Sequence, residues 1–179
     1  MPRIQARTTV VYWDEVPSPL GSCFVIATEK GVCWTGTPGT PLEEGLARTE
    51  KWWTFKSVEQ GAQVEPLRQA VQELQRYFAG EKIAFSCPLD LQGTLFQMSI
   101  WRALRQIPYG ETRSYAEIAQ ATGQPSAVRA VGAANGANPI AVIVPCHRVI
   151  GSNKALIGYS GGMHTKSWLL SLEGIETSV

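Results

Sequence analysis

Two hydrophobic rhythms divide the chain. Thr9 to Trp13 is β-branched and aromatic, Cys23 to Ala27 is apolar, and Val32 to Trp34 returns after a gap. Ser18-Pro-Leu-Gly21 and Glu29-Lys30-Gly31 supply turn residues between them, so residues 8–35 are predicted to form two or three strands in a hairpin pattern. Residues 36–65 carry no period that favours one element. From there Leu67, Ala70, Val71, Leu74 and Phe78 recur at helical spacing, with Pro66 suited to a first helical position and Gly80 to a stop. A helix over Pro66–Phe78 is predicted, then a link over 81–93 with one short apolar piece. We place a domain boundary near Gly93, dividing the chain into residues 1–93 and 94–179.

The second half is predominantly helical in pattern. Thr94 and Gln97 fit a capping box, and Phe96, Ile100, Ala103, Leu104 and Ile107 make the buried stripe of the helix it opens. Pro108-Tyr-Gly110 ends that helix. A second is predicted from about Ser114, with Tyr115, Ile118 and Ala119 inward or at one end, and a third from about Ser126 to Ala134, after a turn at Thr122-Gly123. Two short helices around a glycine turn fit a helix-turn-helix and equally an ordinary helical hairpin. The third is nearly free of bulk: Ala127, Ala130, Gly132, Ala133 and Ala134 surround one charge, Arg129. Small residues permit close approach, to a neighbouring helix or to a narrow groove. A last helix is predicted over Lys166–Leu172, stopped by Gly174.

Composition narrows the class. With 179 residues, 44% of them hydrophobic, the chain can bury one good core or two small ones. No apolar run approaches a membrane span, and the mildly basic start, Met1 to Arg7, lacks the apolar stretch of a signal peptide. A soluble, cytoplasmic protein is expected. Residues 1–90 hold 9 basic and 11 acidic side chains and residues 91–179 hold 7 and 4, a net −2 against +3. That asymmetry permits a nucleic-acid partner without requiring one. Cys23, Cys33, Cys87 and Cys146 form no paired motif, and both histidines, His147 and His164, lie in the second half. The pattern gives little support for zinc, and no metal or cofactor is expected.

The informative stretch is Asn138-Pro-Ile-Ala-Val-Ile-Val-Pro-Cys-His-Arg-Val-Ile-Gly151. Its apolar run between two prolines suits a buried extended segment that delivers a Cys-His pair. A free thiol, with a pKa of roughly 8.5, is only a few per cent thiolate near neutral pH, and a histidine that takes its proton raises that share. Neighbouring side chains on an extended strand point oppositely, so Cys146 and His147 would meet only through a bend or a bridging water. Glu173 stands at a helix C-terminus, where the dipole disfavours a carboxylate by ~0.3–1 kcal/mol. Such a placement fits a solvated terminal residue, or a functional one compensated elsewhere.

Taken together, Phe96-Gln97, Trp101, Ile107-Pro-Tyr-Gly110, Thr112, Ser114-Tyr115, Arg129-Ala-Val-Gly132, Asn138-Pro139, Pro145-Cys-His-Arg148 and Tyr159-Ser-Gly-Gly162 resemble the O6-alkylguanine-DNA alkyltransferases. The first half matches chiefly at Ser18-Pro-Leu-Gly21. The resemblance implies an N-terminal ribonuclease-H-like α/β domain and a C-terminal winged helix-turn-helix. It implies double-stranded DNA carrying O6-alkylguanine as the partner, a monomer, and a single-turnover transfer of the alkyl group to Cys146. By the same resemblance His147 is the water-linked base and Glu173 the carboxylate that orients it. Asn138 pins the active-site turn. Tyr115 assists base flipping and can give a proton to the departing guanine. Arg129 fills the vacated stack, and Ser114, Ala127 and Ala130 belong to the DNA-binding face. Tyr159, Ser160, Val149 and position 141, which is Ala141, belong to the guanine pocket. If Glu173 and His147 act this way, Cys146 should ionise well below ~8.5. Some members bind zinc in the first domain, but this half has no histidine, so zinc is not carried over. A lesion-binding protein without transfer is set against Cys146. A helix-turn-helix regulator would not need Cys146, and a cysteine hydrolase would need an oxyanion hole and a third orienting residue in its own pattern.

Overall fold

The computed structural model describes residues 7–61 and 63–177; the Met1 to Ala6 start lies outside them. Its first half is a four-stranded sheet with a helix on each face. β1 (Arg7–Val16), β2 (Cys23–Ala27) and β3 (Val32–Thr35) form the expected antiparallel run. The unassigned stretch resolves into α1 (Leu42–Thr49) and β4 (Trp53–Gln60), and β4 lies parallel to β1, giving the order β3-β2-β1-β4. The pleat sorts side chains by parity. Cys23, Val25 and Ala27 pack toward Leu67, Ala70, Val71, Leu74 and Tyr77 of α2 (Glu65–Phe78). Val11, Ile26, Cys33, Trp34 and Trp53 pack toward Leu42 and Leu46 of α1. Both faces are covered, which explains why β2 reads as a continuous apolar run rather than an alternating one.

In the second half, α3 (Leu95–Leu104) opens on the capping box, with Thr94 and Gln97 each satisfying the other's backbone N–H. A second box, Ser114 with Glu117, opens α4 (Tyr115–Ala121). The turn to α5 (Val128–Gly136) uses Gly123 at φ 73°, a value natural to glycine. α5 begins two residues later than its pattern predicts, because Ser126 makes no cap and the chain is still turning at Pro125–Ala127. β5 (Arg113–Ser114) and β6 (Val149–Ile150) form a short parallel pair beside this unit. α6 (Met163–Leu172) is the last element of the described residues, with Gly174 at φ 80° beyond it. No helix of the described residues is long and apolar enough to cross a membrane.

The two halves share one core. The cluster that fills the α2 face of the sheet continues through Ile100, Trp101, Leu104, Ile140, Val144 and Leu169. The outer edge of β3 is covered at Val32 by the 88–90 link and at Thr35 by the second half: Thr35 N–H donates to Pro139 C=O at 3.0 Å, and Ala141 N–H donates to Thr35 C=O at 3.2 Å. An edge strand left open invites foreign strands; here it anchors the segment that leads to Cys146.

Candidate active site

The run between the prolines is not a strand. Apart from the single bridge at Thr35, residues 139–145 form successive tight turns. Val142 sits at φ 70°, a left-handed conformation that a β-branched residue adopts only under constraint, and Ile143 N–H closes over it onto Ala141 C=O at 2.8 Å. Asn138 imposes that shape. Its Oδ1 accepts from Ile140 N–H at 3.0 Å and its Nδ2 donates to Val144 C=O at 2.8 Å, so one side chain replaces the hydrogen bonds a ladder would provide. Apolar content signals burial in either geometry, which is why periodicity could not separate strand from coil. The turns deliver Cys146–Arg148 as one turn of 3₁₀-helix, the bend that lets successive side chains serve one site.

Glu173, the cap residue at the end of α6, is fully surrounded by donors. Its Oε1 accepts from Tyr77 Oη at 2.6 Å and Arg148 Nη2 at 3.0 Å and meets His147 Nε2 at 2.7 Å; its Oε2 accepts from Arg148 Nε at 2.9 Å and Gly110 N–H at 3.1 Å. Burial alone would raise its pKa, but the hydrogen bonds and charges of His147 and Arg148 overcome this and hold it at about 2. An ionised Glu173 fixes the proton of His147 on Nε2. The other ring nitrogen, Nδ1, is buried and meets no protein partner among the described residues, so it is the one available to accept a proton. Burial lowers the His147 pKa below its ordinary value, with Glu173 acting in the opposite sense.

Cys146 is buried, and the direction of its shift differs from expectation. Burial pushes the thiol up, while the Asn138 amide, the Lys166 ammonium and the N–H groups of Cys146 and His147 pull it down; burial wins. Desolvation of a thiolate in a closed site outweighs the nearby donors, so the resting pair is a neutral thiol beside a neutral imidazole.

A cavity of about 260 Å³ opens at Cys146, lined by Tyr115, Gly132, Asn135, Gly136, Gly158, Tyr159 and Ser160. Of the expected pocket residues, Tyr159 and Ser160 stand in its wall, whereas Val149 and Ala141 do not: both are buried, Val149 as the start of β6, where its C=O accepts from Lys166 Nζ. Tyr115 Oη donates to Ile157 C=O at 3.0 Å, and burial, then Cys146, raise its pKa. Ser114 uses its hydroxyl as the α4 cap. Arg129 and Ala130 are exposed on α5, and Ala127 caps it, half-buried.

Four contributors escaped the sequence. Tyr77 reaches Glu173 from α2, 96 residues away, and nothing in a helical apolar stripe marks one tyrosine as a hydrogen-bond donor. Arg148 was visible only as part of a motif; it grips Glu173 through two nitrogens and Ile107 C=O through a third at 2.7 Å. Lys166 is buried and donates to the carbonyls of Val149, Ile157 and Gly158; burial lowers its pKa to about 8. Asn135 lies on the buried face of α5 with Val131 and Ala134. For the last two, a signal existed: a polar residue at a position the helical period assigns to the core.

Residues 95–175 match the family described as 6-O-methylguanine DNA methyltransferase, DNA binding domain, and residues 11–91 match its ribonuclease-like domain. A methylated-DNA–protein-cysteine methyltransferase of Methanosarcina acetivorans is 57% identical over 164 residues, covering 92% of this chain and 99% of the relative. The constitutive one of Bacillus subtilis is 52% identical over 169 residues, covering 92% and 96%. That of Mycolicibacterium paratuberculosis is 61% identical over 104 residues, and the match spans 58% of this chain and under two thirds, 63%, of the relative. The crystal structure of Mycobacterium tuberculosis OGT in complex with DNA superposes with a TM-score of 0.76 at 42% identity, covering 90% of this chain and 92% of that one. With a ribonuclease-like α/β half, a DNA-binding helical half and Cys146 at the end of a pinned turn, the chain belongs to the methylated-DNA–protein-cysteine methyltransferase family.

Proposed function

We propose that this protein repairs DNA by direct reversal, moving the alkyl group from O6 of a flipped guanine to Cys146 Sγ and keeping it. The observation that carries this reading is Cys146 in the floor of a small cavity, beside a histidine whose outer nitrogen is held by a buried carboxylate. O6 lies within the duplex stack, so the nucleotide must swing out at a cost of a few kcal/mol. The exposed, small-residue face of α5 suits close approach to a groove, and the exposure of Arg129 on that face supports reading it as the side chain that fills the vacated stack. Ser114, Ala127 and Ala130 are assigned to the same face.

In the transfer, the S–C bond forms as the C–O6 bond breaks. The thiol proton passes to His147 Nδ1, directly or through water, and Glu173 stabilises the imidazolium that results. The leaving guanine, anionic as it departs, takes a proton from Tyr115 or solvent. The neutral resting thiol fits this order, since proton and alkyl group move together once a base displaces water from the site. A thioether has no facile reverse, so each molecule acts once. Two units, residues 1–93 and 94–179, a monomeric state and a cytoplasmic location complete the reading. All four cysteines are free, which suits a reducing compartment.

Incubation with a duplex carrying O6-methylguanine should add one methyl group per protein molecule, and mass mapping should place it on the peptide containing Cys146. Several turnovers per molecule, or label on Cys23, Cys33 or Cys87, would overturn the reading.

A further inference from the structure

Tyr77 stands where a phenylalanine would pack as well. It is fully buried in the apolar stripe of α2, its ring edge-on to Phe78 and Tyr109 at centroid distances of 5.6 and 6.0 Å and tilted against Phe85 at 5.5 Å. The ring accounts for the packing; the hydroxyl does not. Its proton goes to Glu173 Oε1 at 2.6 Å, the same oxygen that meets His147 Nε2 at 2.7 Å. Burial, then Glu173, raise the Tyr77 pKa well above its ordinary value, so the hydroxyl stays a donor. Glu173 does not need it as a counter-charge, because Arg148 already grips both carboxylate oxygens. The titratable groups around His147 are Glu173 and Lys166 from α6, Cys146 and Arg148 from its own turn, and Tyr77 from α2, with Tyr109 facing Tyr77 and Arg148. With Cys146 a neutral thiol at rest, Glu173 alone favours the imidazolium, and the charges of Arg148 and Lys166 oppose it.

Resting on the alkyl-transfer reading above, we propose that Tyr77 is a positioning residue for the transfer: by donating to Glu173 Oε1 it restrains the carboxylate's pull on His147 and keeps the imidazole in the neutral form that can take the thiol proton. An O–H···O⁻ bond of 2.6 Å is charge-assisted and among the strong ones, and it draws charge from the oxygen that His147 uses. The hydroxyl oxygen also lies 3.4 Å from His147 Nε2, and having given its proton to Glu173 it can only accept there. At that length the contact falls outside the usual N–H···O range, so the bond to Glu173 outweighs it. Without the hydroxyl, Glu173 holds the imidazolium more tightly, and His147 is lost as a base at a higher pH. Through this bond α2, an element of the first half, acts on the chemistry of the second.

The chain holds two histidines, His147 and the exposed His164, so imidazole resonances read the effect directly and carry their own control. In Tyr77→Phe, which keeps the ring, the His147 titration midpoint and the acid limb of the Cys146 alkylation rate should both rise by about one pH unit, the scale of one hydrogen bond to a charged group. His164 should stay where it is. Replacing Tyr77 by 3-fluorotyrosine, a stronger donor of nearly the same shape, should move both His147 readings to lower pH, and this variant decides the question if Tyr77→Phe does not fold. A purely structural Tyr77 would lower the melting temperature and leave both readings in place. That result, or a shift of both variants in one direction, would overturn the proposal. Failure of the wild-type protein to alkylate Cys146 from a duplex carrying O6-methylguanine would instead overturn the transfer reading on which it rests.

Discussion

A carboxylate at the C-terminal end of a helix faces the negative end of the macrodipole. Glu173 sits there as the cap of α6, and hydrogen bonds from Tyr77, Gly110, His147 and Arg148 outweigh the unfavourable dipole. Its charge is bound to Arg148 as closely as to His147, so removing that charge has two effects. Glu173→Gln leaves the Arg148 guanidinium buried against a neutral amide, and we expect a loss of about 3–5 kcal/mol in stability, the scale of a broken buried pair. It also removes the group that stabilises the imidazolium, so transfer per folded molecule should slow, and the acid limb of its pH profile, set by His147, should move to lower pH. Thermal melting reads the first effect and the rate of Cys146 alkylation against pH reads the second. An unshifted profile in the folded fraction would confine Glu173 to holding the last helix in place.

At the scale of elements, local chemistry and tertiary demand agree in some places and part in others. The capping boxes at Thr94 and Ser114 and the glycine after Thr122 are short-range devices, and the elements they delimit stand where the pattern puts them. The 139–145 run is governed by Asn138 and the edge of β3, neither of which alters its hydrophobic period. α5 carries a different kind of information: its exposed side holds one charge, Arg129, among the small residues Ala130, Ala133 and Gly136, and none of the four is covered by another element. Arg129→Ala should change stability by no more than about 0.5 kcal/mol, as for other exposed sites. If Arg129 acts on flipping and not on the thiol, as proposed, the substitution should slow repair in duplex DNA by about tenfold or more relative to transfer from free O6-benzylguanine. Paired rate measurements on the two substrates check this, and equal losses would remove Arg129 from the flipping step.

For the whole molecule, the network joins the halves. Tyr77 from α2 shares Glu173 with Arg148 and Gly110, and Thr35 of the sheet edge holds Pro139 and Ala141. Acid should therefore loosen the entire fold. Glu173 is depressed from 4.5 to about 2, so its contribution is full above the ordinary value and is lost as pH falls from there toward 2. His147 is lowered from 6.5, so the unfolded chain takes up its proton first, and stability already declines as pH falls below that value. Both act in the same direction. The melting temperature should fall continuously from pH 7 to pH 3, with loss of the two halves in one transition because they share a core. A flat profile, or two separate transitions, would contradict this coupling.

By itself the sequence determined what depends on near neighbours: the strand pattern of residues 8–35, the α2 stripe, the capped starts of α3 and α4, and the segment that presents Cys146 beside His147. Those signals lie within a turn or two of the residues that respond to them. Tertiary structure decided the rest. Whether residues 36–65 hold α1 and β4 depended on a parallel partner in β1 more than 40 residues earlier, a contact no local period encodes. Whether Cys146 ionises depended on how completely the fold removes water from it, and burial turned the expected shift the other way. Which atoms meet Glu173 depended on the packing of α2 and the turn after Ile107 against the last helix. Side chains far apart in sequence become partners only when a shared core brings their backbones together.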